Sequence, residues 1–462
     1  MGDFLEEQEQ ERQTTFSEPS KFNYLVNVKE VQYFMANVIS QPNHIILKAK
    51  EMTCEENHKL MVISLFALDD KQCPIHGKPF LEIKGKSIST EFLTFKIKSN
   101  TDEIICFSEN NKELLQKLDI YDKINIKGIK LNIKTSNQSV FNNGIMIKDI
   151  ELYEDKAEQK SMLDKETAIS RFMDNIPKLN YPENVWRAYK HSLMLPMVQL
   201  GINSLTLGDA GTFKTMFGYS IKNISKGAYV DVPKATAPAL MGIALKDFSG
   251  KYHLEAGLMH VAKNSVLVLD EVEKFDDYSF MHPLNEVIAN HHFTYNKGDI
   301  KYDNSNFWIS LVSFGNPIGT NFYSGTPAIN QVEKTFERNR EFLSRQHLIW
   351  AIRNMGFDLS TMMESSKEKE ASMEQEISLY IKQAKAIKLT DKNISEEARI
   401  EQNKFVEERH KAVKDLRFAR KFKDLCIAEA KLNLDNEVKL SHVKQIEEII
   451  RIQDSLLFDN QI

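Results

Sequence analysis

The sequence predicts a small all-β domain at the N-terminal end, followed by an α/β domain with a parallel sheet that finishes in a helical subdomain. Three observations carry this. From residue 44 to 153, short alternating apolar runs (HIILKAKEM, KLMVISLFAL, EFLTFKIKS, KINIKGIKLNIK, GIMIKDIELY) are separated by Asn, Gly, Asp and Ser. That is the period-2 signature of strands in a β domain of barrel size. From about residue 200 to 353 the texture becomes strand, Gly-rich turn, helix, strand, the alternation of a parallel sheet covered by helices. From 360 to 460 the chain is charge-laced, with the core-like runs KFKDLCIAEAKL and HVKQIEEIIRIQDSLL, and reads as helical. A chain of 462 residues is also long for one hydrophobic core.

Taken in order, residues 1–20 are acidic and Gln-rich, lack the basic-then-apolar order of a secretory signal, and read as a disordered tail. Residues 22–39 read as a helix leading into the β domain, which spans 21–153. Residues 154–165 (EDKAEQKSMLDK) are charged without an apolar face and form the expected linker. The α/β core is expected over 166–355, opening with apolar residues at helical spacing up to about 200, and the helical subdomain over 356–462. The mixed charges around 364–376 read as a solvated hinge or loop. With 42% hydrophobic and 27% charged residues the chain has a soluble, globular composition, and no stretch approaches the about 20 apolar residues a bilayer span needs. The expected compartment is the cytoplasm. Cys54, Cys73, Cys106 and Cys426 are few and scattered, which argues against a disulfide framework. A net charge of −5 excludes a protein that coats nucleic acid with its whole surface, so any such contact is local.

The strongest local signal is SLTLGDAGTFKTMFGYSIKNI: an apolar strand, then Gly208, Asp209, Ala210, Gly211, Thr212, Phe213, Lys214 and Thr215, then a helix. Backbone amides turned inward at a helix N-terminus make an anion nest; Lys214 would neutralise β- and γ-phosphates and the Thr215 hydroxyl would ligate magnesium. The common P-loop pattern has Gly before the Lys, where this chain has Phe213, so an ordinary strand–turn–helix is the competing reading. Downstream, NSVLVLDEVEKF is an apolar strand ending in Asp270 and Glu271, suited to holding magnesium through water and polarising the attacking water. An edge strand capped by solvated acids is the alternative. The strand FWISLVSFGNP ends at Asn316, either a γ-phosphate sensor or a turn-forming Asn before Pro317. REFLSRQHLIW sets Arg345 after a helical stretch, as an arginine finger or a solvated surface residue.

These elements in this order resemble the motor of MCM helicases, ring-forming P-loop ATPases of the AAA+ class. GDAGTFKT is similar to the MCM phosphate loop, which also lacks Gly before Lys, with Ala210 for Pro and Thr215 for Ser. KDFSGKYHLEAGLMHVAKNSVLVLDEVEKF, FGNPIG and LSRQHLIW resemble three further MCM segments, though Gln346 and His347 replace the family's Phe-Asp after the finger. The likeness runs from about residue 176 to 353, and more weakly through RFARKFKDLCIAEAKLNLDNEVKLSHVKQIEEII, which resembles the family's final lid helices. It implies an α/β P-loop AAA+ motor with a C-terminal helical lid behind an OB-fold-like all-β N-terminal domain, and ATP with Mg2+ as cofactors. Lys214, Thr215, Asp270, Glu271 and Asn316 would act from one subunit, and Arg345 with Arg420 from the next, Arg417 competing with Arg420 for the lid role. A C-terminal winged helix, present in many MCM proteins, is not expected.

By the same resemblance, KDFSGKYH and HHFTYNKGDIKYDN are the channel hairpins, with Lys251 and Lys297 as phosphate contacts; solvated lysines are the alternative. Lys123, Lys127, Lys130 and Lys134 give the β domain local positive charge. Cys54, His58, Cys73 and His76, with three, fourteen and two intervening residues, are chemically acceptable for tetrahedral zinc but lack a paired Cys-x-x-Cys, so zinc is not expected. The reading is a homo-hexameric helicase with single-stranded DNA in its channel, unwinding duplex DNA for replication of a mobile element or small genome. Primase, polymerase or an origin-binding factor are the partners this implies. Two rivals stand: an initiator or loader ATPase that binds origin DNA without unwinding, and an AAA+ protein remodeller, for which Tyr252 would be the pore-loop aromatic.

Overall fold

A computed structural model of the chain describes residues 10–11, 29–53, 59–63, 81–99, 102–108, 118–134, 141–153, 161, 163–172, 174, 176–246, 252–275, 278–298, 300–358, 367–412 and 417–458. It divides into two compact units. The first comprises Met1–Asp155, Ile243–Ala256 and Asn296–Ile300. Its strands are β1 (Gln10–Glu11), β2 (Lys29–Val38), β3 (Asn43–Thr53), β4 (Lys59–Ile63), β5 (Leu81–Ser99), β6 (Asp102–Ser108), β7 (Lys123–Lys134) and β8 (Phe141–Leu152). They lie in the order β1-β2-β7-β8-β6-β5-β3-β4, and pairing of β2 with β5 at Asn37–Lys98 and Val38–Ile97 closes β2-β7-β8-β6-β5 into a ring. Within that ring β6 and β8 are parallel and the other pairs antiparallel.

Side chains alternate across each strand, so β6 feeds two cores. Ile104 and Cys106 join a cluster with Val31, Phe95, Ile126 and Ile150, whereas Ile105 and Phe107 join Ile45, Phe92, Leu131 and Met146. The helix expected at 22–39 is corrected by β2 over its described part. A bulge between Tyr33 and Ala36, where Met35 takes φ 52, shifts the inward set from Val31 and Tyr33 to Ala36 and Val38. The break in period hides the strand in the sequence. The inserted segment Tyr252–Ala256 is tied to this unit: Ala256 N donates to Ile39 O (2.8 Å), Gln41 N to Leu254 O (3.0 Å), and Lys96 pairs with Glu255.

The second unit holds Lys156–Gly242, Gly257–Tyr295 and Lys301–Ile462. In chain order its strands and the two inserted hairpins are β9 (Lys178–Leu179), β10 (Asn203–Gly208), β11 (Ala228–Asp231), β12 (Gly242–Lys246), β13 (Tyr252–Ala256), β14 (Val266–Asp270), β15 (Phe293–Lys297), β16 (Ile300–Asn304), β17 (Ser310–Gly315), β18 (Leu348–Ile352) and β19 (Phe357–Asp358). Five of them form a wholly parallel sheet in the order β11-β14-β17-β10-β18. Every residue of β10, β14 and β17 is buried. Packing of helices on the sheet explains why β14 reads as an unbroken apolar run before Asp270, while β10 and β17 bury small polar residues, Ser204, Thr206, Ser310 and Ser313, among their apolar ones.

The expected helical stretch from 166 to 200 is divided into Lys165–Arg171, capped by the Asp164 carboxylate, and Glu183–Val198, with β9 between them. Helices Lys367–Ala386, Glu396–Ala412, Phe418–Leu432 and Leu440–Phe458 share one apolar core with the sheet, centred on Trp350, Tyr189, Phe422 and Ile446. Here the hinge or loop expected at 364–376 is corrected from residue 367 onward: the segment opens the helix Lys367–Ala386. Its Lys, Glu, Ala, Met and Gln are strong helix formers, and the polar face is used rather than merely solvated. Glu374 accepts from Ser220 Oγ and Asn223 Nδ2, both at 3.1 Å, and Glu376 pairs with Arg171. No described helix is long and apolar enough to cross a membrane.

Candidate nucleotide site

The chemistry-bearing residues gather at the C-terminal ends of the parallel strands, the edge where open α/β sheets bind ligands. β10 ends at Gly208, the chain turns through 209–213, and the helix Lys214–Ser225 begins. Gly211 makes the turn with φ +79. Phe213, in the place of the usual glycine, also takes the left-handed conformation (φ 58, ψ 19), and its ring packs edge-on against Phe357 at 5.1 Å. Lys214 Nζ donates to Gly208 O (2.8 Å), Asp209 O (2.7 Å) and Thr212 Oγ1 (3.1 Å). Burial lowers this ammonium to about 8, against the opposing pull of Glu273, Asp270 and Asp209. A half-buried cation on a helix N-terminus, held only by neutral oxygens, is suited to a polyanion.

The Asp209 side chain does not face this cation. Its Oδ1 accepts from Phe322 N (2.6 Å) and its Oδ2 from Asn354 N (2.9 Å), pinning the loop to the segments that follow β17 and β18. Ala210 is held in the same way, its N–H on Asn321 Oδ1 (3.1 Å) and its carbonyl on Asn354 Nδ2 (3.2 Å).

Asp270, 5% exposed at the tip of β14, takes two hydroxyls on one oxygen: Thr215 Oγ1 at 2.7 Å and Tyr229 OH at 2.6 Å. Burial and this hydrogen bond both push the Tyr229 phenol up, so it stays a neutral donor. Hydroxyl and carboxylate side by side make the hard-oxygen donor set that magnesium prefers. Glu271 leaves the strand with φ 57, and its partly exposed carboxylate pairs with Lys274 at 2.8 Å. Asn316 Nδ2 donates to Glu273 Oε1 at 3.1 Å.

A separate cavity of about 810 Å³ is lined by Arg345, Arg417, Arg420 and Lys421, with Glu286, Glu341, Asp424 and His291 among its other walls. No residue of the 208–215 loop lines it. Arg345 pairs with Glu341, and Arg417 Nη1 donates to Ser344 Oγ at 2.8 Å. The two residues that depart from the MCM pattern are structural. Gln346 Nε2 donates to Phe342 O (3.0 Å), while His347 Nδ1 accepts from Asn203 N (3.1 Å) and its Nε2 lies 3.7 Å from Asp424. Burial lowers His347, which keeps the ring neutral and fixes Nδ1 as the acceptor.

Thus Lys214, Thr215 and Asp270 come together, Asn316 joins through Glu273, and Arg345, Arg417 and Arg420 share the other cavity. Lys297 is exposed beside Gly298 at the tip of the β15–β16 hairpin. Lys251, and the Cys54, His58, Cys73 and His76 set, lie outside the described residues. Tyr229 and Glu273 were not legible as site residues. Tyr229 carries no motif, and the one signal for Glu273 was a third acid just beyond the Asp270–Glu271 pair.

No curated protein matches the chain. Residues 191–362 match the family model described as the MCM P-loop domain, a span that includes the phosphate loop, Asp270, Glu271, Asn316 and Arg345. Over these residues the chain is therefore similar to the P-loop ATPase domain of the MCM-like AAA+ family.

Proposed function

We propose that the protein is an ATP-driven, ring-forming DNA helicase that unwinds duplex DNA for replication, with hydrolysis at the boundary between copies. One observation carries the reading. Arg345, Arg417 and Arg420 gather around a cavity to which the phosphate loop contributes nothing, as expected if they serve the nucleotide of a neighbouring copy. Lys214 would neutralise the triphosphate, Thr215 and Asp270 would hold magnesium, and Glu271 with Asn316 would orient water. Mg-ATP, when bound, supplies the electrophilic γ-phosphorus. The Lys214 ammonium fits the phosphates, and the paired Thr215 and Asp270 oxygens fit the magnesium.

The β-rich unit reads as an OB-fold-like DNA-binding domain, supported by its five-strand ring with one parallel pair. The domain limits 21–153, 166–355 and 356–462, with the last as a helical lid, belong to the same proposal. Lys246 Nζ lies 5.1 Å from the centre of the Tyr252 ring, so this hairpin aromatic carries a cation, which suits a phosphate backbone better than an apolar peptide. A replication role for a mobile element or small genome completes the reading.

The test is strand displacement on a forked duplex with ATP and magnesium, with particles imaged with and without the fork. ATP-dependent displacement by ring-shaped particles is the expected result. ATP hydrolysis without displacement would favour an initiator or loader. Hydrolysis indifferent to DNA would favour a remodeller.

A further inference from the structure

Glu273 lies on the short turn Val272–Lys274, just beyond the Asp270–Glu271 pair. Three features converge on it. Its Oε1 takes the Asn316 amide at 3.1 Å. Its Oε2 is buried and without a hydrogen-bond partner among the described residues. A Cβ on Gly315 would sit 2.6 Å from that oxygen, so the glycine at the end of β17 is what admits the carboxylate. By contrast Glu271 is turned to Lys274 on the exposed side.

A carboxylate only accepts, so the Asn316 group facing it must be the NH2, and the amide oxygen must point away from Glu273. An unpaired Asn has no such constraint and presents either group. We propose that Glu273 is a positioning residue: by accepting from Asn316 Nδ2 it fixes the amide with its oxygen outward, as the acceptor that an attacking water requires.

This inference rests on the ATPase reading of the site. The near-isosteric Glu273→Gln keeps shape but offers either a donor or an acceptor, releasing the amide. The expected result is a fall in kcat of about 100-fold, the scale of a misplaced reacting group. Magnesium-dependent binding of a fluorescent ATP analogue should stay within about 3-fold, because the phosphate contacts remain. Adding Glu273→Gln to Asn316→Ala should cost no further activity, since Glu273 acts through Asn316. An unchanged kcat, or losses that multiply in the double variant, would overturn the role of Glu273. Wild-type protein unable to hydrolyse ATP would instead overturn the reading beneath it. Thermal midpoints of the variants within a few degrees of wild type would show that folding is intact. A collapse in Glu273→Gln would move the comparison to Glu273→Asp, whose shorter carboxylate should recover part of kcat if orientation is the role. No recovery in a folded Glu273→Asp would count against it.

Discussion

Replacing Glu429 by Gln should loosen the helix that carries Arg420. Glu429, 1% exposed in its side chain, lies on Phe418–Leu432 and is held by three groups. His191 Nε2 is 2.6 Å from its Oε2, Lys165 pairs with its Oε1, and Asn433 Nδ2 donates to Oε1 at 2.9 Å. Burial alone would raise this carboxyl, but His191 and Lys165 outweigh it and hold it at about 2, against an ordinary 4.5. The gap of about 2.5 (4.5 less about 2), at about 1.36 kcal/mol each, makes the ionised form worth about 3 kcal/mol to the fold. Because the folded value is the lower one, the unfolded chain takes up the proton first. The contribution is therefore complete above pH 4.5 and lost as pH falls toward 2. Gln leaves Lys165 without its counter-charge and His191 without its carboxylate partner, so a loss of this size is expected at pH 7, lowering the melting temperature by about 5 °C. Denaturation followed by circular dichroism, from pH 7 down to pH 3, measures both effects. A Glu429→Gln variant as stable as wild type at pH 7, or one that still weakens as steeply in acid, would refute the argument.

Lys214→Ala should abolish ATP turnover while the circular dichroism spectrum is retained; turnover at the wild-type rate would reject the nucleotide assignment. Arg345→Ala mixed with Glu271→Gln should regain partial ATPase activity at boundaries that combine two intact halves, and no complementation would count against action between copies. Asp209→Asn replaces an acceptor of either Phe322 N or Asn354 N by a donor, which should cost about 1–3 kcal/mol in urea denaturation, and an unchanged midpoint would contradict the pinning role. Lys297→Ala should weaken binding to single-stranded DNA and flatten its salt dependence by about one counterion, without altering nucleotide affinity.

Much of the parallel sheet was legible because a strand buried on both faces has no choice of composition. β14 is apolar until Asp270, where the sheet ends and chemistry begins, and β10 and β17 interrupt their apolar residues only with small Ser and Thr after their first residues. The same logic accounts for the position of Asp270 at the end of β14 and of Asn316 just after β17, since a polar residue at the tip of such a strand has only the sheet's edge to face. β2 was hidden because alternation survives only while the register does, and the bulge at Met35 breaks it. The opening of Lys367–Ala386 was hidden for the opposite reason: its charges contact Ser220, Asn223 and Arg171, three positions distant in sequence. Likewise the arginine cavity joins Arg345 to Arg417 and Arg420 across a long stretch of chain, a proximity that no local pattern encodes.

Phe213 shows how a departure from a motif can keep the motif's geometry. A glycine before the lysine enters the left-handed region freely, whereas an L-residue there costs about 1–2 kcal/mol. This chain takes the same backbone (φ 58) with a phenyl ring and sets that ring against Phe357 at 5.1 Å, on the short strand β19 that pairs with β9. An aromatic pair of this kind contributes about 0.5–1.5 kcal/mol beyond its buried area, enough to offset most of the strain. The loop is therefore braced by its own side chain, where a glycine would leave it free to move. Asp209 braces it again from Phe322 and Asn354. A phosphate nest held at both ends before nucleotide arrives spends little binding energy on its own ordering, and that follows from the one residue at which the sequence looked least like a P-loop.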